Sequence, residues 1–492
     1  MSGPPSSIDI WLRMRAHVLD FMIFAASLGA LLGIEVISRA FERRAIGNTR
    51  VATVPQSDHQ IDPVGQAFRW GALIAGTGAL MGLWGIGILW PFGAVIFIIF
   101  GVLRAGIVLF EKALAHSGRD ARLHRALAQP PFAEAPLALF FSAVDLRTPD
   151  HVTVWDTYID NIELPWFIIT VEYQHFAALT AQGRANVVFL SSLASQIHAL
   201  PESVRLMLYA NNAQKNRLVL KALPDVAHAQ ILHGDSDKPP SYSPLTKNYD
   251  YVFVAGQMAI DRYARNGVHI PKERFHVVGR PQIADIVPAK AKPAQMDRPT
   301  IVYMPTWRGF FEDTQFSSLD RADQIIKVAL SLSRPAHVIF KPHPLSYKDP
   351  EWGNFNARIQ SALRINGTSG AQGEVSSSDL SPFDLYNRAD LLICDISSVM
   401  IDFLYSHKPF VTLLPKAFTP DMQPNFPSLE AAYTVTADLG NLKEQLEAAL
   451  GPDPIEAQRE YVRAAAFGDL DCVPGEAFRT ACRKLVGQQN RR

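Results

Sequence analysis

The chain has 492 residues, enough for two or three domains, and 48% hydrophobic with 19% charged side chains is the balance of a folded protein. Lysine plus arginine equals aspartate plus glutamate, 47 of each, so no global basic surface points to nucleic acid. Three cysteines, Cys394, Cys472 and Cys482, are too few and too unevenly placed for a disulfide framework or a zinc site, and they fit a reducing compartment.

The first elements are apolar. Residues 18–40 are apolar in the middle but carry Asp20 and Glu35 towards the ends, so this stretch either crosses a bilayer or lies in its interface. Between Gly71 and Phe110 the only formal charge is Arg104. A bilayer core about 30 Å thick needs roughly 20 apolar helical residues. Two crossings are expected, at 71–90 and 92–110, with the turn at Trp90-Pro91-Phe92, where proline lacks an amide donor. Trp84, Trp90 and Phe92 suit an interfacial belt. Arg39, Arg43, Arg44, Arg50 and Arg69 make the segment before the hairpin cytoplasmic by the positive-inside rule. The hairpin returns the chain to that side, so the catalytic part is expected at the cell membrane, facing the cytoplasm. No cleavable signal-peptide pattern is present, and the segment is expected to be retained. Residues 1–125 are thus the expected membrane region.

Short apolar runs separated by helical stretches follow. Residues 137–141, 166–171, 187–190, 205–209, 229–232 and 251–254 read as strands. Their character is continuous rather than alternating, which means burial on both faces, as in a parallel sheet covered by helices. They form one expected Rossmann-like domain at 130–280. After a Pro, Lys and Ala-rich linker (287–299) the pattern restarts, with strands at 300–304, 337–340, 391–394 and 410–414, a polar surface excursion at 366–381 and a helical tail at 454–487. The fold class is α/β, with two Rossmann-like domains facing a cleft and the second spanning 281–488. Ligands of such sheets bind beyond the carboxyl ends of the strands.

Four motifs fall at those ends. Ile231-Leu232-His233-Gly234 breaks a strand at a His-Gly pair, where Gly234 allows close approach of a ligand and His233 can take a proton near neutral pH. In Met304-Pro305-Thr306-Trp307-Arg308, Thr306 and Arg308 can reach the cleft, and arginine offers forked donors to phosphate. In Lys341-Pro342-His343-Pro344 two prolines hold the backbone of His343, with Lys341 adding positive charge. In Cys394-Asp395-Ile396-Ser397-Ser398 a strand passes through a serine pair into a helix, an N-cap hydroxyl and free N–H groups for an anion. Any one of these has a structural reading: strand-end histidines are often structural, Ser397 and Ser398 can be only a cap, and Arg308 can pair with Glu312 or Asp313. Together they converge on one cleft.

In this order, and with Val277-Val278-Gly279-Arg280-Pro281 between the first and second, the motifs resemble the CDP-glycerol glycerophosphotransferases of teichoic acid synthesis, over about 229–415. The resemblance implies a GT-B fold at the cytoplasmic membrane face. It implies transfer of glycerol phosphate from CDP-glycerol, or a related CDP-alditol, to a lipid-linked acceptor with release of CMP. It implies His233 as catalytic base and His343 as a second catalytic histidine acting on the donor pyrophosphate. Ser397, Ser398, Arg308, Thr306, Lys341, Gly234 and Asp395 are then the expected donor-phosphate and nucleotide-binding residues. The chain departs from the family pattern in Asp235-Ser236-Asp237-Lys238 after the His-Gly pair and in Cys394-Asp395-Ile396. No cofactor is expected, and no recognisable cage spacing demands a metal of Asp235, Asp237 and Asp395. Two rival readings are a GT-B glycosyltransferase using a nucleotide sugar and a non-catalytic membrane scaffold.

Overall fold

Most of the expected strands form, and where they run sets the position of every motif. The structure, a computed structural model, describes residues 119–144, 149–309, 315–365, 367–376, 380–468 and 473–489. The expected membrane helices at 18–40, 71–90 and 92–110 lie outside the described residues, and no helix among the described ones is long and apolar enough to cross a membrane. The chain divides into two compact units, 1–133 with 169–201 and 134–168 with 202–492.

In the smaller unit the helix Arg119–Leu127 buries Leu123, Ala126 and Leu127 and exposes Arg122, His124 and Arg125 between them, an amphipathic pattern. A strand, Val187–Phe189, follows the helix Tyr173–Ala181, and the amide of Leu190 donates to Thr170 O at 2.9 Å.

The larger unit carries two parallel sheets. β1 (Leu137–Phe141), β4 (Leu206–Tyr209), β5 (Ala227–Gln230), β6 (Tyr251–Val254) and β7 (Phe275–Val277) are neighbours in that order, while β2 (Trp166–Thr170) leads into the smaller unit and β3 (Val187–Phe189) lies within it. The second sheet has the order β10-β9-β8-β11-β12-β13, from β8 (Thr300–Met304), β9 (His337–Phe340), β10 (Gln372–Val375), β11 (Leu391–Asp395), β12 (Phe410–Leu413) and β13 (Tyr433–Val435). The chain leaves β8 towards β9 on one side and returns through β11 on the other. The carboxyl ends of β8 and β11 are therefore the switch point where open α/β sheets take ligands.

Alternation explains why both faces are covered. Ile301 and Tyr303 belong to one buried cluster with Leu391, Ile393 and the helix Ala322–Leu330. Val302 and Met304 belong to another, with Leu392, Cys394 and the helix Ser398–Leu404. Side chains with period two point to opposite faces, and full burial of each large apolar one is worth about 1.5–3 kcal/mol. Cys394 and Cys482 are buried free thiols, and burial pushes both up beyond the usual thiol range.

Three strands escape the sequence reading: β7, β10 and β13. All three lie at sheet edges, and β10 (QGEV) is half-exposed within the stretch expected to be a surface excursion. An edge strand has one open flank, so its pairing needs no continuous apolar run. The tail also departs from the expected boundary at 281–488. Its last helix, Glu476–Gln489, returns to the first sheet, with Phe478 5.0 Å from Trp155 and 5.8 Å from Phe253 between ring centroids. The preceding helix, Glu456–Phe467, passes so close to Gly256 that a Cβ there would meet Ala466 O at 2.5 Å.

Candidate active site

β5 stops at Gln230, two residues earlier than expected, because the chain turns out of the sheet. Leu232 sits at φ +50°, and the indole N–H of Trp155 donates to its carbonyl at 2.5 Å. This turn aims His233 back at β4, where its Nδ1 lies 3.0 Å from the carbonyl oxygen of Ala210. A carbonyl only accepts, so Nδ1 carries the proton of the neutral ring and the Nε2 lone pair is left for chemistry. Burial, against the opposing pull of the Ala210 bond and with help from the positive Arg280, lowers the His233 pKa to about 4. The ring is neutral at physiological pH and able to accept a proton.

His343 has the opposite arrangement. β9 ends at Phe340, and the two prolines lead into the short helical turn Pro344–Lys348, with His343 as its cap. The amide of Leu345 donates to His343 Nδ1 at 3.1 Å, so the neutral ring carries its proton on Nε2. Burial, then the charges of Lys238 and His233, lowers this pKa to about 4 as well. His343 thus presents a donor and His233 an acceptor, and backbone groups dictate both.

Lys238, which the sequence reading passed over as part of a departure from pattern, stands among the motifs. Its Nζ lies 3.4 Å from Thr306 Oγ1 and 5.7 Å from the centre of the Phe316 ring, and burial lowers its pKa against the attraction of Asp395. A lysine five residues after the strand-end histidine was the available signal. Gly234 packs against the serine pair: a Cβ on it would meet Ser398 Cβ at 3.2 Å and Oγ at 3.4 Å. His233, Gly234, Lys238, Thr306, His343 and Ser398 are thereby brought together.

Other expected ligands are engaged elsewhere. Asp395 is fully buried, and one carboxylate oxygen accepts from the amides of Thr306 at 2.8 Å and Ser318 at 3.2 Å. Burial nevertheless raises its pKa to about 6. Through these two bonds Asp395 organises the loop after β8, while its other carboxylate oxygen has no hydrogen-bond partner among the described residues. The Ser397 hydroxyl donates to Asp395 O at 3.2 Å and makes no side-chain cap bond, so it is not the expected cap hydroxyl. Arg308 forms a two-pronged pair with Asp349, both distances 2.7 Å, and a third bond to Glu351 at 2.8 Å, while Glu312 and Asp313 lie outside the described residues. Its fork is already filled. Lys341 donates to Leu380 O at 2.9 Å.

Two buried ion networks hold the strand-end loops in place. Arg280 makes a forked pair with Asp402 on the helix Ser398–Leu404, its second bond 3.1 Å. Fully buried Arg262 bonds Asp235 and Asp237, the latter at 2.8 Å, and Asp237 also accepts from the Ser428 amide at 3.1 Å. Asp235 and Asp237 are thus both paired with this arginine.

The family model of CDP-glycerol:poly(glycerophosphate) glycerophosphotransferase matches residues 119–420, more than half of the chain. The chain belongs to this family. It is a CDP-glycerol glycerophosphotransferase-like transferase, and the motifs lie within the matched span. No curated protein matches the sequence. Among solved structures, the wall teichoic acid polymerase TagF in a crystal soaked with CDPG is similar at 13% identity and TM-score 0.45, over 78% of this chain and 96% of that one. A glycosyltransferase from Rickettsia africae is similar at 13% identity and TM-score 0.44, over 73% and 99%. HepE from Anabaena, in complex with UDP and glucose, is similar at 10% identity and TM-score 0.43, over 72% and 99%. Likenesses this distant decide neither donor nor acceptor for the glycerophosphotransferase-like chain.

Proposed function

We propose that this protein, bound to the cytoplasmic face of the cell membrane, transfers glycerol phosphate from CDP-glycerol to a hydroxyl of a lipid-linked acceptor and releases CMP. One observation carries the reading: two neutral histidines of one site with opposite proton placement, His233 bonded to Ala210 O and His343 accepting from Leu345. The acceptor hydroxyl gives its proton to His233 Nε2 as its oxygen bonds to the glycerol-bearing phosphorus of the donor. The bond from that phosphorus to the bridging oxygen breaks, and its electron pair leaves with CMP. His343 Nε2–H and the Lys238 ammonium supply donors for the charge that grows on the phosphate oxygens. Phosphoryl-type transfer demands chiefly positioning and such charge stabilisation. Thr306 and Ser398 line the donor side in this scheme, while Arg308 and Lys341 contribute only if their present bonds exchange.

Membrane attachment rests on the single charge between Gly71 and Phe110 and on the arginines that precede it. The test is CMP release by the full-length, detergent-purified protein given CDP-glycerol and a membrane lipid extract. CMP appears with wild type and falls by about 10²–10⁴ in His233→Ala and in His343→Ala, each folded by circular dichroism. Release of a nucleoside diphosphate from a nucleotide sugar, with no CMP from CDP-glycerol, would instead establish the glycosyltransferase reading.

A further inference from the structure

Asp395 closes β11, and the whole residue is buried. The loop after β8 occupies one of its two carboxylate oxygens, through the amides of Thr306 and Ser318. An amide oxygen could accept both bonds, so this structural task calls neither for a second oxygen nor for a negative charge. The second oxygen has no hydrogen-bond partner among the described residues and is sealed from the surface, so no substrate meets it. Burying a charge is costly unless something compensates it. The aspartate nevertheless titrates near 6 and is ionised at neutral pH. Its charge therefore needs a partner close by.

Lys238 is that partner. Its Nζ lies 3.4 Å from Thr306 Oγ1, and the amide of the same threonine donates to Asp395 at 2.8 Å. One residue thus spans the space between the ammonium and the carboxylate. Burial pushes Lys238 towards the neutral amine and the Asp395 charge opposes it; in return Lys238 pulls the carboxylate down. The acids nearer in sequence, Asp235 and Asp237, are paired with Arg262. Around Lys238 stand His343, neutral at physiological pH, and the uncharged Thr306 and Phe316. Of these neighbours Asp395 alone is anionic.

We infer that Asp395 is a positioning residue for the transfer: its carboxylate, acting across Thr306, keeps the Lys238 side chain protonated and directed at the donor phosphates. The inference rests on the transferase reading above, in which that ammonium supports the charge growing on the phosphate oxygens. A neutral amine at the same place would lack both the charge and one N–H donor.

The test is a double-mutant cycle on the full-length protein, with Asp395→Asn and Lys238→Met measured by CMP release from CDP-glycerol. Asparagine keeps an oxygen for Thr306 and Ser318, so the unfolding midpoint is expected to hold. Asp395→Asn alone should lower kcat/KM by about tenfold or more and move its alkaline limb down by about one pH unit or more, because an opposite charge this near raises a lysine pKa by that much. On the Lys238→Met background the same change should cost less than about twofold. A merely structural aspartate would cost as much with the lysine as without it, and independent effects of that kind overturn the inference. So does an alkaline limb left unmoved by Asp395→Asn. A second measurement needs neither turnover nor a folded asparagine variant. The Asp395 carboxyl, titrating near 6 and so above the ordinary aspartate range, is followed by infrared spectroscopy in wild type and in Lys238→Met. With the lysine gone its titration is expected to rise by about one pH unit, and an unmoved titration overturns the inference. If wild type releases no CMP, the transferase reading fails separately, and the infrared titration alone supports the pairing or overturns it.

Discussion

The imidazole of His151 lies flat on that of His233, the ring centroids 3.3 Å apart and the planes 7° from parallel. The Ala210 bond sets where the His233 proton sits, and the stacked ring limits how far His233 can swing. Removing this support in His151→Ala should lower kcat for CMP release by tenfold or more with the CDP-glycerol KM little changed, since an ångström of misplacement costs about 10²-fold. His151→Phe, which keeps a flat ring, should recover most of the rate. Equal activity in the alanine variant would show that the stack is incidental.

Acid should affect activity and stability in the same direction. Both histidines sit at about 4 in the fold, against 6.5 for a free side chain. Between those values the unfolded chain binds more protons than the folded one, so stability falls as pH drops from 6.5 towards 4 and is independent of these groups above 6.5. His233 must be neutral to accept a proton. The acid limb of kcat/KM is therefore expected near pH 4 to 5, and an inflection at 6.5 would mean that the ring is solvated in the working enzyme.

Lys238 is expected to act on the donor side and on its neighbour. Lys238→Met should raise the CDP-glycerol KM and reduce kcat, together by about 10²-fold, as for loss of one preorganised donor. Its charge is one cause of the depressed His343 pKa, so the same variant should move that histidine's titration upward by NMR. An unshifted titration would separate the two side chains.

Asp402 predicts a stability effect. Asp402→Ala leaves Arg280 buried without its forked partner, an expected loss of about 3–5 kcal/mol in urea unfolding. Replacing both residues by leucine should recover much of this, because the uncompensated charge rather than the lost bond dominates the penalty.

Gly234 is expected to be intolerant for reasons of space alone. Its φ is ordinary, but a Cβ would press on Ser398 at 3.2 Å. Gly234→Val should depress CMP release far more than it lowers the unfolding midpoint, and the smaller Gly234→Ala should fall between the two.

Local sequence determined a great deal of this protein. Runs such as Leu391–Asp395 and Thr300–Met304 are apolar throughout because both faces of a parallel strand are covered, so composition alone announces them. Strand-end punctuation likewise announced His233, Gly234, Thr306, His343 and Ser398, since ligands of such sheets meet the chain where strands stop. The edge strands β7, β10 and β13 were silent because an open flank imposes no such pattern. Tertiary structure alone decided which polar groups are free. Arg308 reads as a phosphate ligand until Asp349 and Glu351, more than forty residues on, fill its fork, and one carboxylate oxygen of Asp395 is taken by the amides of Thr306 and Ser318. The protons on His233 and His343 and the approach of Lys238 are matters of a few ångströms between segments distant in sequence. Hydrogen bonds and charge pairs depend on that separation, and no residue's identity carries it.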